Sequence, residues 1–246
     1  MQLTSVSNFL QGLATYGSHW TMLALILGFA CAHSGLAYLR PWGEARIGSR
    51  LYRVFFALVS ISLALLLLIY FFNHRYDGVI LWNLQALAGI HTTVVILSAI
   101  SFFFLYPATF NLLEIAAIQK PEIHLFETGI TRITRHPQMV GQVIWCVAHS
   151  LWIGSSFMVV ASVGLIAYHL FAVWHGDHRL ERKYGQSFRE LKARTSVIPG
   201  LAILQKRQQL RPQEFFRWAY LGVFSFVLIL YAFHTQMVSA ASRVAW

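Results

Sequence analysis

The stretch that decides the fold is GITRITRHPQMVGQVIWCVAHSLWIG, residues 129–154. Its first eight residues are basic and polar, and from Pro137 onward it is mostly apolar, with the single histidine His149 inside it. A proline in the first turn of a helix costs little, because its missing N–H would have no partner there. The stretch therefore predicts a basic loop at a membrane surface, followed by a buried helix with a titratable side chain that can bind metal.

The composition is that of an integral membrane protein. The chain is 57% hydrophobic and only 11% charged, whereas soluble domains are about 25% charged. Apolar runs occupy residues 19–39, 52–72, 87–110, 137–153, 157–174 and 216–233. Since a spanning helix needs about 20 mostly apolar residues, we predict one all-α domain over residues 1–246, a polytopic bundle of about six transmembrane helices.

Two connections have a predicted form. Only Gly154-Ser155-Ser156 separates the fourth and fifth runs, which predicts a tight helical hairpin or one partly buried pair of helices. The longest polar segment, about 175–214, is expected to lie at the surface, with a helix at about 179–194. Both cysteines lie in apolar runs, which argues against a disulfide framework.

The basic charge falls on one side of the predicted bundle. Of the 19 lysines and arginines, all but Arg75 and Arg243 lie in the connections on one face. Excess Lys and Arg marks the cytoplasmic face. The net charge of +10 therefore indicates topology and contact with membrane lipid headgroups, and it argues against nucleic acid as a partner.

Four histidines lie within or near apolar runs, namely His33, His91, His149 and His169. Any one of them alone is explained by a hydrogen bond to a neighbouring helix. His33 and His149 are more informative together, because two neutral imidazoles from facing helices are a natural axial pair for a haem iron. Their positions in the runs predict a depth offset of roughly 8 Å at about 1.5 Å rise per residue.

Cys146 lies three residues before His149, so both point to one helix face. A thiolate can also bind haem iron, which makes Cys146 an alternative ligand on that side. A small buried cysteine of the core explains it equally well.

The basic loop supports a second interpretation. Arg132, Arg135 and His136 can bind phosphate or carboxylate. The pattern of this loop with residues 177–199 is similar to that of integral-membrane methyltransferases of the isoprenylcysteine carboxyl methyltransferase class, in which it builds the S-adenosylmethionine site. A scaffold that pairs these arginines with acidic residues is the simpler alternative.

Longer strings carry a more specific resemblance. The strings NHRYDG (73–78), SFFFLYP (101–107) and TRHPQMVGQ (134–142), together with HSGLAYLRPWGEARIGSRLYRVFFA (33–57), resemble the 15-cis-ζ-carotene isomerases of plants and cyanobacteria, within the wider NnrU-like family of integral membrane haem proteins. The resemblance implies a haem b enzyme that converts the 15-cis bond of 9,15,9′-tri-cis-ζ-carotene to trans, giving 9,9′-di-cis-ζ-carotene. The family's two haem ligands match His33 and His149, and its CxxH cysteine matches Cys146.

The resemblance also implies partners, a mechanism and a location. The substrate is a carotenoid, and an unidentified electron donor keeps the iron reduced. One axial histidine, for which we favour His149, must leave the iron to open a position. The chain starts almost at its first span, which points to a cyanobacterial-type member in a thylakoid or plasma membrane. A methyltransferase and a non-catalytic NnrU-like haem protein remain as alternatives.

Overall fold

The computed structural model describes residues 16–105, 125 and 127–242. These residues form helices, a single isolated β-bridge between Ile80 and Ser155, and no strand. The helices are α1 (Gly17–Ile47), α2 (Ser49–His74), α3 (Ile90–Leu105), α4 (Ile130–Ile133), α5 (Pro137–Ile153), α6 (Ser156–Tyr184), α7 (Gln186–Arg194), α8 (Leu201–Leu204) and α9 (Trp218–Ala241), with a 3₁₀ turn at Pro212–Phe215 before α9. The predicted all-α class is confirmed.

Each of the six predicted apolar runs contains a helix, but their lengths differ. Four helices, α1, α2, α6 and α9, are long and apolar enough to cross a membrane. The helices α3 and α5 have 16 and 17 residues, and the description of α3 stops where the run continues into residues 106–110. Leucines and isoleucines on the outer face of α2, such as Leu58, Ile61 and Leu65, are more than half exposed. Apolar patches of this kind indicate contact with lipid.

The predicted hairpin between α5 and α6 is confirmed, and its residues explain it. Pro137 lies in the first turn of α5, and Gly154 ends the helix in the left-handed conformation with φ of 67°. A residue with a side chain is strained at such a φ, whereas glycine is not. Ser155 then caps α6, since its hydroxyl accepts a hydrogen bond of 3.0 Å from the backbone N–H of Met158.

The large helices pack as a closed ring. Helix α1 lies against α2 and α6, α5 lies against α3 and α6, and α9 lies against α2 and α3. The apolar core lies where α1, α2, α5 and α6 meet, and it includes Met22, Phe71 and Phe157. The ring therefore has an interior that side chains of several helices can reach.

The two ends of the bundle differ in charge. At one end His19 contacts Ser156, with 2.9 Å between Nε2 and Oγ, and Arg75 contacts Ser242 near the end of α9. At the other end, which we call the basic end, Arg179 donates to the carbonyl of Ala37. Helix α1 thus runs toward the basic end and α5 runs away from it.

The predicted surface helix at 179–194 is two helices in the structure. Helix α6 continues past the apolar run to Tyr184, and Gly185, with φ of 51°, breaks the chain direction before α7. The composition of residues 179–194 favours a helix throughout, and only the conformation of this glycine interrupts it.

Candidate functional site

His33 lies on the face of α1 that points into the bundle. It is half-buried and follows Met22, Ile26 and Phe29 at helical spacing, the first two being core residues. Its Nδ1 is 2.9 Å from Oγ of Ser60 on α2. When Nδ1–H is donated to this oxygen, Nε2 carries a lone pair, and among the described residues no partner occupies it. Histidines that bind a metal typically have their other ring nitrogen engaged in this way.

His149 has the same arrangement on α5. Its Nδ1 is 3.0 Å from the backbone oxygen of Trp145, and its ring stacks on the indole of Trp145 with 4.0 Å between the ring centres. A carbonyl oxygen can only accept, so Nδ1 carries the proton and Nε2 the lone pair. Trp145 and Trp152, on either side of His149 along the helix, both pack against the core. His149 therefore also faces the interior of the bundle.

The two histidines lie at different depths. At the basic end, Ala37 on α1 contacts Arg179, and His136 at the start of α5 contacts Asp177. Arg179 and Asp177 are two residues apart on α6. His33 lies four residues from Ala37 along α1, away from the basic end. His149 lies thirteen residues from His136 along α5, in the same direction. The difference of nine residues corresponds to an offset of about 14 Å along the helices when it is counted from this end, and the sequence predicted an offset in the same direction.

The rings close part of this offset. His33 stacks on Phe29 and His149 on Trp145, in each case four residues earlier in the helix. Helical side chains point toward the N-terminus of their own helix. Because α1 and α5 run in opposite directions, the two rings lean toward each other, and their Nε2 atoms are closer in depth than their Cα atoms.

The side chains at the site fit a metal ion whose other ligands come from a cofactor. The described residues contain no group of three or more His, Cys, Asp or Glu side chains able to hold a metal ion. Two interior imidazoles with free Nε2 lone pairs complete the coordination of an iron whose other four ligands come from a porphyrin. The chemistry of His33 and His149 therefore fits haem.

Cys146 is placed differently from its neighbour on the helix. It is 1% exposed, and its sulfur accepts a hydrogen bond of 3.4 Å from the side-chain amide of Gln142. One turn later, the Ser150 hydroxyl lies 3.1 Å from that of Ser162 on α6. The thiol is packed in the protein core, and its role as an alternative ligand stays a prediction.

The two remaining membrane histidines have separate surroundings. His91 is exposed on α3 and packs edge-on against Trp152, with 5.5 Å between the ring centres. His169 lies on α6 within electrostatic range of His33. Of these two, only His169 is close to a proposed ligand.

The arginines of the basic loop are paired within the chain. Nε and Nη2 of Arg132 donate to the two carboxylate oxygens of Glu214, at 2.8 and 2.9 Å, and Nη1 donates to Gln208. The hydrogen bonds from Arg132 hold the pKa of Glu214 at about 2. Arg135 and His136 both contact the carboxylate of Asp177. These contacts favour the scaffold interpretation of the loop over a site that binds the carboxylate of S-adenosylmethionine.

A cavity of about 240 Å³ opens beside His33 toward the basic end. It is lined by His33, Ala37, Arg40, Tyr52, Arg53, Phe56 and Arg179. Sequence reasoning assigned these arginines to topology alone. The seven-residue spacing of His33 and Arg40, which places both on one face of α1, is the signal that would have linked them.

Comparison with known proteins identifies relatives. A family model described as NnrU protein matches residues 21–242. The protein named 15-cis-zeta-carotene isomerase, chloroplastic, from Zea mays is 54% identical over 228 residues, which are 92% of this chain and 62% of the relative. The protein of the same name from Arabidopsis thaliana gives the same values. The chain thus spans less than two thirds of the length of these relatives, and no solved structure matches it.

Proposed function

Because the chain belongs to the NnrU protein family, and its relatives in maize and Arabidopsis are named 15-cis-zeta-carotene isomerase, we propose that it isomerises the 15-cis bond of 9,15,9′-tri-cis-ζ-carotene to give 9,9′-di-cis-ζ-carotene. We further propose that the reaction depends on haem b, with His33 and His149 as axial ligands. The identity of 54% over 92% of this chain supports the activity.

The state of the two imidazoles is the observation that supports the haem. Each ring has Nδ1 engaged with an oxygen and Nε2 without a partner among the described residues. Both rings face the interior of the helical ring. An engaged Nδ1 and a free Nε2 lone pair are what a metal ligand needs. The carbonyl of Trp145 fixes this tautomer for His149, and His33 has it when the Ser60 hydroxyl accepts.

The reaction needs the double bond at carbon 15 to lose bond order for a short time, since rotation about it is otherwise slow. If haem is held by His33 and His149, its reduced iron would supply electron density to the conjugated polyene. Rotation at carbon 15 leaves the carotenoid with the same atoms, σ bonds and electrons, so no electron is consumed. The electron donor that we propose only restores the reduced state after oxidation.

With haem bound, the protein would have to hold one ligand firmly and release the other. The Nδ1 atom of His33 contacts a different helix, through Ser60. His149 is tied only to its own helix, through the carbonyl of Trp145. A rotation of the His149 side chain within α5 would therefore leave the bundle intact, and His149 is the ligand that we propose to leave. Cys146 stays a proposed alternative ligand on the same helix.

We propose a multi-pass membrane protein of cyanobacterial type, in a thylakoid or plasma membrane, with the basic end on the cytoplasmic face. The excess of Lys and Arg at that end supports this orientation. The carotenoid enters from the lipid, which its apolar chain requires.

The spectrum of the purified protein tests the haem. We expect a Soret band and a reduced-minus-oxidised spectrum of a b-type haem with two histidine ligands. His33→Ala and His149→Ala should each lose this spectrum. His91→Ala is the matched control, because it removes an imidazole from a membrane helix at a position outside the proposed site.

Turnover tests the activity. Purified protein in detergent with tri-cis-ζ-carotene should give the di-cis product under dithionite and none in air, as measured by HPLC. Full activity of haem-free protein would reject the haem mechanism. Haem without turnover would instead favour a non-catalytic NnrU-like haem protein.

The methyltransferase alternative has less support. It requires a site for S-adenosylmethionine at the 132–141 loop, where Arg132 and Arg135 are already paired with carboxylates of the chain. Binding of S-adenosylmethionine to the purified protein, measured by calorimetry, would revive it.

A further inference from the structure

The cavity beside His33 has an excess of positive charge. Arg40, Arg53 and Arg179 line it, and Glu44 pairs with two of them, 2.6 Å from Nε of Arg40 and 3.9 Å from Nε of Arg53. The side chains of Arg40 and Arg53 are only 21% and 14% exposed. Arg179 pairs with no carboxylate in the part of the chain that the structure describes, so its charge needs a partner in a poorly hydrated site.

Hydrogen bonding within the chain leaves donor capacity free. Nη2 of Arg40 is buried and has no hydrogen-bond partner. Arg179 uses Nη1 on the carbonyl of Ala37, and its charge and that of Arg40 are close enough to repel. The hydroxyl of Tyr52 donates to the carbonyl of Leu36 at 2.6 Å. A buried donor without a partner, next to like charges, indicates that an anionic group completes this cavity.

We propose that the cavity binds the two propionate carboxylates of haem, an inference that rests on the haem proposed above. Haem carries two carboxylates on one edge, and two cationic groups of the cavity can pair with them, the buried Nη2 of Arg40 and the guanidinium of Arg179. His33 lines the same cavity, and Arg40 follows it by seven residues on the same face of α1, about 10 Å toward the basic end. An iron on His33 thus has the arginines on its basic side. A cavity of about 240 Å³ is smaller than the 300–1,000 Å³ typical of whole ligands, so it takes one edge of the macrocycle.

The phosphate of an anionic phospholipid is the other source of negative charge at this end of the bundle. A phosphodiester carries one charge rather than two. Its binding would not depend on the porphyrin carboxylates, which provides a way to separate the two sources.

The test compares haem b with haem dimethyl ester, whose propionates are esterified and uncharged. Each is titrated into the haem-depleted full-length chain in detergent, and binding is followed at the Soret band. We expect wild type to bind haem b at least tenfold more tightly than the ester. We expect Arg53→Gln to lose most of this preference while it binds the ester as wild type does. Unchanged binding of the ester shows that the variant is folded.

Arg46→Gln is the matched control. Arg46 lies near the end of α1, whereas Arg53 lies on α2. The side chain of Arg46 is exposed and stacks over Trp42 at 4.0 Å, outside the cavity. The Arg46→Gln substitution removes the same charge as Arg53→Gln and should keep the wild-type preference for haem b. The preference of wild type is measured without any variant, so the proposal can be refuted even if Arg53→Gln does not fold.

Each other outcome has a definite meaning. Wild type that binds both porphyrins equally overturns this inference and leaves the proposed function intact. Wild type that binds neither overturns the proposed haem, and this inference with it. Equal binding of both porphyrins, together with a loss of co-purified anionic phospholipid in Arg53→Gln by mass spectrometry, would assign the cavity to lipid and overturn the proposal.

Discussion

Replacing Glu214 by glutamine tests whether the basic loop is a buried scaffold. The side chains of Arg132 and Glu214 are only 10% and 14% exposed, and three donors reach the Glu214 carboxylate, two from Arg132 and the backbone N–H of Gly129. Glu214→Gln keeps the shape but leaves the Arg132 charge without its partner. Loss of one member of a buried ion pair costs about 3–5 kcal/mol, and the remaining hydrogen bond from Arg132 to Gln208 places our expectation near 3 kcal/mol.

Equilibrium unfolding in dodecyl maltoside with increasing SDS, followed by tryptophan fluorescence at pH 7, measures this cost. Glu181→Gln is the control, since Glu181 is 37% exposed and its contacts to Arg189 and Lys192 are 3.8 and 3.4 Å. An exposed pair of this kind contributes about 0–1 kcal/mol. If Glu214→Gln lowers the free energy of unfolding no more than Glu181→Gln does, the loop is not held by a buried ion pair, and the argument against an anion site at Arg132 fails.

Three further predictions follow from individual contacts. Ser60→Ala removes the partner of Nδ1 of His33, and we expect haem affinity, measured by transfer to apomyoglobin, to fall about 10–100-fold; wild-type affinity would show that this contact does not orient the ring. The pKa of Glu214 in the folded protein is about 2, below its ordinary value of 4.5, so its stabilising contribution is complete above about pH 4.5 and is lost as the pH falls toward 2. The free energy of unfolding of wild type should therefore be lower at pH 3.5 than at pH 6, and Glu214→Gln should show a smaller difference between the two pH values. Gly141→Ala places a methyl carbon 2.6 Å from the carbonyl oxygen of Ser101, and we expect a loss of about 1–3 kcal/mol from overpacking, whereas no loss would show that α3 and α5 separate freely.

Much of the fold was predictable because its signals are local. The apolar runs predicted the helices, Pro137 predicted the start of α5, and Gly154-Ser155-Ser156 predicted the hairpin. The surface helix at 179–194 was predicted as one piece, because helix-forming composition does not reveal that Gly185 adopts a positive φ. Tyr106, in the string SFFFLYP, lies outside the described residues.

The site was less predictable than the fold. The resemblance and the positions within the apolar runs both selected His33 and His149, but neither shows which residues contact their rings. The contacts of α6 to α1 and α5 set the relative heights of these two helices. Neither the length nor the composition of a helix contains that information.

The amino-acid sequence alone predicted which segments contain helices, where α5 begins and ends, and which end of the bundle is basic, because hydrophobic length, turn residues and charge bias act within a few residues of one another. It did not predict which side chains meet. Ser60 reaches His33 across 27 positions, Glu214 reaches Arg132 across 82, and Arg179 reaches Ala37 across 142. Such contacts depend on the order, rotation and relative height of whole helices, and these are set by the packing of all of them together.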